Sequence, residues 1–232
     1  MAKVKTHGHP VALDVIDPRD EARRVNSVRE LLGLGIAPSE GHSIHVMSGG
    51  AVDMFSYAMW LVKIYGGIDY LFTCSWRYGV CDILLLERML KKGEIKKMDM
   101  CLNVAYSSSH VYEWQYITKM HEGGLIDHLV ASNVHLKFIC AECGGKKIVI
   151  ESSANFNNNN RIELSTIFVS EELFKWYMIY MNDIYRQWNF GRTLKELLPN
   201  LKTIGKYEQV DDIEGFASCG QDDLCEEFDG EE

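Results

Sequence analysis

The stretch that decides the fold runs from Asn133 to Glu163 and reads NVHLKFICAECGGKKIVIESSANFNNNNRIE. In its first part, His135 and Lys137 are spaced two apart among apolar residues. This period of two predicts a strand that carries both polar side chains on one face. The pair Gly144-Gly145 then predicts a tight turn, because glycine tolerates positive φ, and the apolar run that follows predicts a returning strand.

The predicted returning strand ends in a second pair of polar residues. Ser153 and Asn155 are again two apart and therefore share a face. A β-hairpin of this kind brings an imidazole, an ammonium, a hydroxyl and a carboxamide to one place. Such a group predicts an anion site that contains a nucleophile.

This arrangement resembles the signature of the phospholipase D superfamily, His-x-Lys-(x4)-Asp followed by Gly-Ser-x-Asn. Four residues match it position by position: His135, Lys137, Ser153 and Asn155. Glu142 stands where that family has Asp, Ser152 replaces the Gly, and the hairpin is three residues longer than the commonest spacing. Glu163 is similar to the acidic residue that many members carry after the Asn.

The resemblance implies a chemistry for each of these residues. A single copy of the pattern implies a homodimer with a composite site. His135 of one subunit would form a phosphohistidine, and His135 of the other would act as general acid and then as base. Lys137 and Asn155 would bind the non-bridging oxygens, with Ser153 as a further donor. Glu163 or Glu142 would orient the imidazole, and neither a metal nor a cofactor is required.

Outside this stretch, strands alternate with helices from about residue 42 onward. The alternation predicts an α/β fold with a mixed, largely parallel sheet flanked by helices on both faces, which is phospholipase D-like. We expect three parts: an N-terminal arm and helix over 1–41, the α/β domain over 42–207, and an acidic tail over 208–232.

The charge is unevenly distributed along the chain. The net charge is −9, but residues 208–232 hold eleven acidic residues and no Lys or Arg, which leaves 22 acidic and 24 basic residues in the body. The near-neutral body is compatible with a phosphate polymer as partner. The composition of the tail predicts disorder. A solvated tail and a nucleic-acid mimic that competes for the body's own groove are both open interpretations.

Composition also limits the cellular setting. No apolar run approaches 18 residues, and the start lacks the pattern of a signal peptide, so we expect no membrane span and no membrane partner. Seven cysteines without a regular framework predict a reducing, cytoplasmic location. The spacing Cys140-x-x-Cys143 is half of a zinc knuckle, and two further ligands with suitable spacing are missing.

Three residues near predicted strand ends are candidate substrate ligands: Ser75, Trp76 and Asn103. Loops beyond strand ends collect functional residues in sheets of this kind. The predicted function is a metal-independent phosphodiesterase, specifically an endonuclease acting on DNA or RNA. The alternative is a nucleic-acid-binding or assembly protein with little or no turnover, favoured by the departures at Glu142 and Ser152. A metal-dependent nuclease is a third class.

Overall fold

A computed structural model describes residues 18–50, 52–156 and 161–189. The predicted arm before residue 18 and the predicted tail at 208–232 lie outside these residues. Within them the chain forms helices and strands in this order: α1 (Pro18–Gly33), β1 (Ser43–Ser48), α2 (Met54–Tyr65), β2 (Tyr70–Ser75), α3 (Val80–Lys91), β3 (Met98–Asn103), α4 (Tyr106–Ser109), α5 (Val111–Glu122), β4 (His128–Ser132), β5 (Phe138–Cys143), β6 (Lys146–Ser152), β7 (Glu163–Val169) and α6 (Glu171–Asn189).

The seven strands form one mixed sheet in the order β1-β7-β6-β5-β2-β3-β4. Only the pairs β2–β3 and β3–β4 are parallel. The other four pairs are antiparallel: β1–β7, β7–β6, β6–β5 and β5–β2. The expectation of a largely parallel sheet is therefore wrong, while that of an α/β fold with a mixed sheet is confirmed.

The reason for the antiparallel majority lies in the connections of the last strands. Parallel neighbours need a crossover connection, and only α3 and the pair α4–α5 supply one between neighbouring strands. The β5–β6 connection is the two-residue turn Gly144-Gly145, whose φ values are 57° and 74°. Two positive φ values in a row are what a tight antiparallel hairpin requires. A glycine pair between two apolar runs thus fixed the direction of β6.

Both faces of the sheet are apolar and both are covered by helices, as predicted. Along β5, Ile139 and Ala141 face the core beneath the first five helices, whereas Phe138 and Cys140 face α6. The same alternation runs through β2, β3 and β6, because successive side chains of a strand point to opposite faces. The sheet is therefore the middle layer of three, and its ends stay open for a site.

Helix α1 is held to the rest of the fold by a buried cluster of charges. The Arg24 guanidinium lies 3.0 Å from the carboxylate of Asp53, the N-cap of α2, and also pairs with Asp82 in the first turn of α3. It stacks over the Phe55 ring, with 5.0 Å between its central carbon and the ring centroid. The side chains of Arg24, Asp53 and Asp82 are almost fully buried. One arginine thus ties α1 to the N-termini of two helices, where carboxylates are favoured by the helix dipole.

No helix in the described ranges is long and apolar enough to cross a membrane.

Candidate functional site

His135 and Lys137 lie in an extended segment between β4 and β5, ahead of the strand in which the sequence placed them. Strand β5 begins only at Phe138. Lys137 is still aligned with the returning arm, because its carbonyl accepts a hydrogen bond of 3.0 Å from the Ser152 N–H. The expected pairing of the two arms therefore holds at Lys137, while His135 lies beyond it with its side chain exposed.

Asn103 positions the segment that carries His135. Its carboxamide donates a hydrogen bond of 2.6 Å to the Val134 carbonyl and accepts one of 2.8 Å from the Ala105 N–H. The side chain is buried, with a relative exposure of 1%. Both ends of its amide are bonded inside the protein, so Asn103 anchors the loop. That Asn103 also contacts substrate stays a prediction.

The Lys137 ammonium contacts the His135 imidazole directly. Its Nζ lies 3.2 Å from each ring nitrogen and donates to the His135 carbonyl at 3.0 Å. A neutral imidazole has one unprotonated nitrogen, which is the one that accepts this contact. Burial lowers the pKa of Lys137, and the nearby negative charge of Glu163 opposes that shift. The half-buried ammonium makes no ion pair with a carboxylate of the described residues, so it is available to an anion.

Trp76 forms the wall behind the imidazole. Its ring meets the His135 ring edge to face, with centroids 5.2 Å apart and an interplanar angle of 68°. The indole stays partly exposed. Of the three residues predicted to bind substrate, Trp76 is the one whose side chain contacts a site residue and reaches solvent.

On the returning arm, Ser153 is bonded to Glu163. The Ser153 hydroxyl donates to the Glu163 carboxylate and accepts a hydrogen bond of 3.1 Å from the Leu164 N–H. Glu163 is almost buried at the start of β7. Its bond to Ser153 places the carboxylate at the end of the returning arm, and its charge acts on Lys137. That Glu163 belongs to the catalytic group stays a prediction.

Asn155 lies further from the His–Lys pair and is bonded to Ser75. The buried Ser75 hydroxyl lies 3.2 Å from Asn155 Oδ1 and 3.0 Å from the Arg77 carbonyl, either of which can accept its proton. Ser75 is fully enclosed and fixes Asn155 at the end of β2. That Ser75 contacts substrate stays a prediction. The half-buried carboxamide of Asn155 borders the same end of the sheet as His135.

Glu142 does not join this site. Its carboxylate pairs with Lys147 across the hairpin. Five residues separate it from Lys137 along an extended chain, a distance of about 17 Å at the rise of a β-strand. The structure therefore places Glu142 at the turn end of the hairpin, away from the imidazole that it was predicted to orient.

An open cleft of about 460 Å³ brings the two arms together. Its lining is His135, Leu136, Lys137, Phe138, Glu151, Ser152, Ser153 and Tyr177. The sequence analysis did not identify Glu151 and Tyr177. The only available signal for Glu151 was its spacing of two from Ser153, which predicts that the two side chains share a face at the end of the returning arm. Tyr177 enters from α6, which folds back over the sheet.

The arrangement fits an anion that reacts with a nucleophile. An imidazole, an ammonium and a hydroxyl border one open cleft, and further polar groups lie just outside it. Among the described residues, no group of three or more His, Cys, Asp or Glu side chains is placed to hold a metal ion. Cys140 and Cys143 of the half zinc knuckle are both buried in β5 as free thiols.

Comparisons with known proteins give no family for this chain. No family model matches it. No curated protein matches it either. Among solved structures, it is similar to polyphosphate kinase from Porphyromonas gingivalis, with a TM-score of 0.48, 17% identity, 75% of this chain covered and 32% of that chain. It is also similar to TrmBL2, an archaeal chromatin protein with a novel mode of DNA binding, with a TM-score of 0.45, 11% identity, 73% of this chain covered and 62% of that chain. The chain thus spans about a third of the first structure's length and less than two thirds of the second's.

Proposed function

We propose that this protein is a metal-independent phosphodiesterase, specifically an endonuclease that cleaves DNA or RNA through a phosphohistidine intermediate. The observation that carries the proposal is the contact between Lys137 and His135 in an open cleft that Ser153 also borders. A half-buried ammonium is costly without an anion, and a phosphodiester supplies one. The imidazole beside it is the nucleophile.

In the proposed reaction, an unprotonated nitrogen of His135 attacks phosphorus and forms a P–N bond while the bond to the leaving oxygen breaks. The leaving oxygen takes a proton from a general acid on the opposite side. Water then attacks the phosphohistidine, gives its proton to that same group and releases the imidazole. Lys137 neutralises the charge that builds up on the non-bridging oxygens, and the Asn155 amide supplies a further donor. Ser153 can donate to the phosphate only by turning its hydroxyl proton away from Glu163.

Glu163 has a positioning role in this scheme. Its carboxylate accepts a hydrogen bond from the Ser153 hydroxyl, and the hydroxyl oxygen in turn accepts one from the Leu164 N–H. Its negative charge also favours the charged form of Lys137. Glu163 therefore acts on Lys137 through its charge and favours the ammonium that meets the phosphate.

The general acid in this proposal is His135 of a second copy of the chain. One imidazole cannot attack phosphorus and protonate the leaving oxygen from the opposite side, so the site is incomplete without a partner. An apolar patch beside the site suits that contact: Met47 is 74% exposed, Ile162 78% and Leu164 50%. Met47 and Leu164 are paired across β1 and β7, and the Leu164 N–H bonds to Ser153. A second copy that covers this patch would lie next to the cleft.

The test is hydrolysis of bis(p-nitrophenyl) phosphate and of labelled single- and double-stranded oligonucleotides in EDTA. We expect turnover by the natural protein, its loss in His135→Ala, and its retention in His42→Ala, which removes an exposed histidine outside the cleft. Oligonucleotide binding should survive in both variants.

Two other outcomes would replace the proposal. Binding without any turnover by the natural protein would favour the nucleic-acid-binding or assembly alternative. Activity that chelation abolishes would indicate a metal-dependent nuclease and remove the proposed mechanism.

A further inference from the structure

A carboxylate lines the cleft in which the proposed function places a phosphodiester. Glu151 precedes Ser152 at the end of β6, and it borders the cleft together with His135 and Lys137. In the sheet register it lies opposite Phe138, the residue that follows Lys137. A negative charge at this position repels a phosphate, so a site that bound phosphate alone would not benefit from it.

The surroundings of Glu151 do not neutralise that charge. One carboxylate oxygen accepts a hydrogen bond of 2.7 Å from the Tyr177 hydroxyl. Within the described part of the chain, Glu151 makes no ion pair, and the one lysine ammonium that lines the cleft with it, that of Lys137, contacts His135. The second oxygen of Glu151 therefore has the capacity to accept hydrogen bonds from a ligand.

Tyr177 holds the carboxylate in a fixed position. Its ring packs on Phe138, with centroids 4.2 Å apart, and meets the Trp176 ring edge to face at 4.9 Å. These contacts fix the phenol, and its hydroxyl in turn fixes one oxygen of Glu151. A carboxylate held in this way can accept hydrogen bonds from ligand donors at one defined position, which is what recognition of a base edge requires.

Aromatic rings also flank the cleft. Trp76 stands against His135 on one side. On the other side, Trp176 is 58% exposed, next to Tyr177 and parallel to the Tyr180 ring at 6.2 Å. Exposed aromatic faces beside a cationic group that binds phosphate are the usual means of holding unpaired bases by stacking.

We propose that Glu151, held by Tyr177, forms a nucleobase subsite that reads the amino-bearing edge of an unpaired base next to the phosphate bound by His135 and Lys137. The inference rests on the proposed function, because it takes the ligand to be a polynucleotide. It names the substrate as single-stranded nucleic acid and adds a base preference.

The chemistry of the bases sets that preference. Cytosine and adenine each present an exocyclic amino group, and guanine presents an amino group beside a ring N–H, all of which donate to a carboxylate. Thymine and uracil present carbonyl oxygens on either side of their one N–H, and those oxygens repel the Glu151 carboxylate. In a duplex these edges are occupied by pairing, so a double strand cannot use the subsite.

The test measures binding of the full-length protein in EDTA by fluorescence anisotropy. The probes are labelled ten-nucleotide strands of dC, dA, dT, rC and rU, and a mixed-sequence duplex. We expect dC and dA to bind about five- to a hundredfold more tightly than dT, and rC more tightly than rU by a similar factor. The duplex should bind more weakly than dC.

Glu151→Gln tests the assignment to one side chain. A glutamine amide both donates and accepts, so the variant should bind dT more tightly than the natural protein and lose the preference for dC. Glu122→Gln removes the same charge at an exposed position outside the cleft and should keep the preference. Cleavage rates on the same strands provide a second readout.

The outcomes separate this inference from the proposed function. A preference for amino-bearing bases without any cleavage supports the subsite and contradicts the enzyme. Cleavage with equal binding of dC and dT supports the enzyme and overturns the subsite. Binding to phosphatidylcholine vesicles that Glu151→Gln abolishes, with no binding to any strand, would assign the carboxylate to an ammonium headgroup and also overturn it.

Discussion

The side-chain amide of Asn103 donates a hydrogen bond of 2.6 Å to the main-chain carbonyl of Val134. This bond joins the end of β3 to the segment that carries His135, across 31 residues of sequence. The segment has no strand pairing of its own before Lys137. The direction of the imidazole therefore depends on a buried amide that does not touch the cleft.

Asn103→Ala should weaken both stability and activity. The change leaves the Val134 carbonyl and the Ala105 N–H without their partner, at a cost of about 1–3 kcal/mol for each buried group. We expect urea denaturation to show a lower free energy of unfolding, and hydrolysis to fall further than the loss of folded protein explains. Asn26→Ala, at an exposed position on α1, is the control and should change neither quantity. Full activity in folded Asn103→Ala would show that the anchor is not needed.

Much of the fold could be predicted because its local signals are strong. The start of α1 at Pro18 and the hairpin turn at Gly144 both follow from residue types with restricted or unusual backbone preferences. The order of the strands could not be predicted in the same way. Strand β1 pairs with β7, more than a hundred residues away, and no local pattern in either strand specifies that partner.

The site was predicted in part for a related reason. The spacing of His135 and Lys137 predicted that their side chains lie together, since the two residues are close in sequence. The internal bonds of Ser75 and Asn103 could not be predicted, because a polar residue at a strand end either faces a ligand or bonds the next loop, and only packing decides which. Glu151 was missed because its importance comes from α6, which places Tyr177 against it.

Gly144→Ala should destabilise the hairpin more than Gly145→Ala. Both glycines have positive φ, which costs an L-residue about 1–2 kcal/mol. A Cβ at position 144 would also meet Tyr65 Cδ1 at 2.5 Å, whereas nothing lies within 4 Å of a Cβ at position 145. Thermal or urea unfolding of the two variants measures the difference. Equal losses would show that Tyr65 moves aside at no cost.

The buried charges around Arg24 predict a pH dependence of stability. Burial raises the pKa of Asp82 to about 8, although the charge of Arg24 opposes the shift. Burial also acts to raise the pKa of Asp53, but Arg24 and the bonds from Ser56 lower it overall. The folded protein therefore keeps a proton on Asp82 that the unfolded chain, with an ordinary pKa near 4, releases. A raised carboxyl pKa makes the folded state lose stability as pH rises from about 4 to about 8.

Asp82→Asn should remove that part of the pH dependence. The slope that a single proton contributes is at most about 1.4 kcal/mol per pH unit. We expect the free energy of unfolding of the natural protein, relative to Asp82→Asn, to be largest at about pH 4 and to fall toward pH 8, measured by urea denaturation at four pH values. For the surface variant Glu122→Gln, the curve of unfolding free energy against pH should run parallel to that of the natural protein. Parallel curves for Asp82→Asn would show that Asp82 is ionised throughout.

The apolar patch at Met47, Ile162 and Leu164 predicts the oligomeric state. If a second copy covers it, as the composite site requires, the solution mass should be twice the 26.5 kDa of one chain. Leu164→Glu places a charge in the patch and leaves the backbone bond to Ser153 intact. Light scattering of this variant should show a single chain, and hydrolysis should be lost with the dimer. Ile179→Glu, at a 66% exposed position of α6, is the matched control and should keep both mass and activity. A natural protein that has the mass of one chain and still hydrolyses its substrate in EDTA would mean that the general acid comes from within the chain.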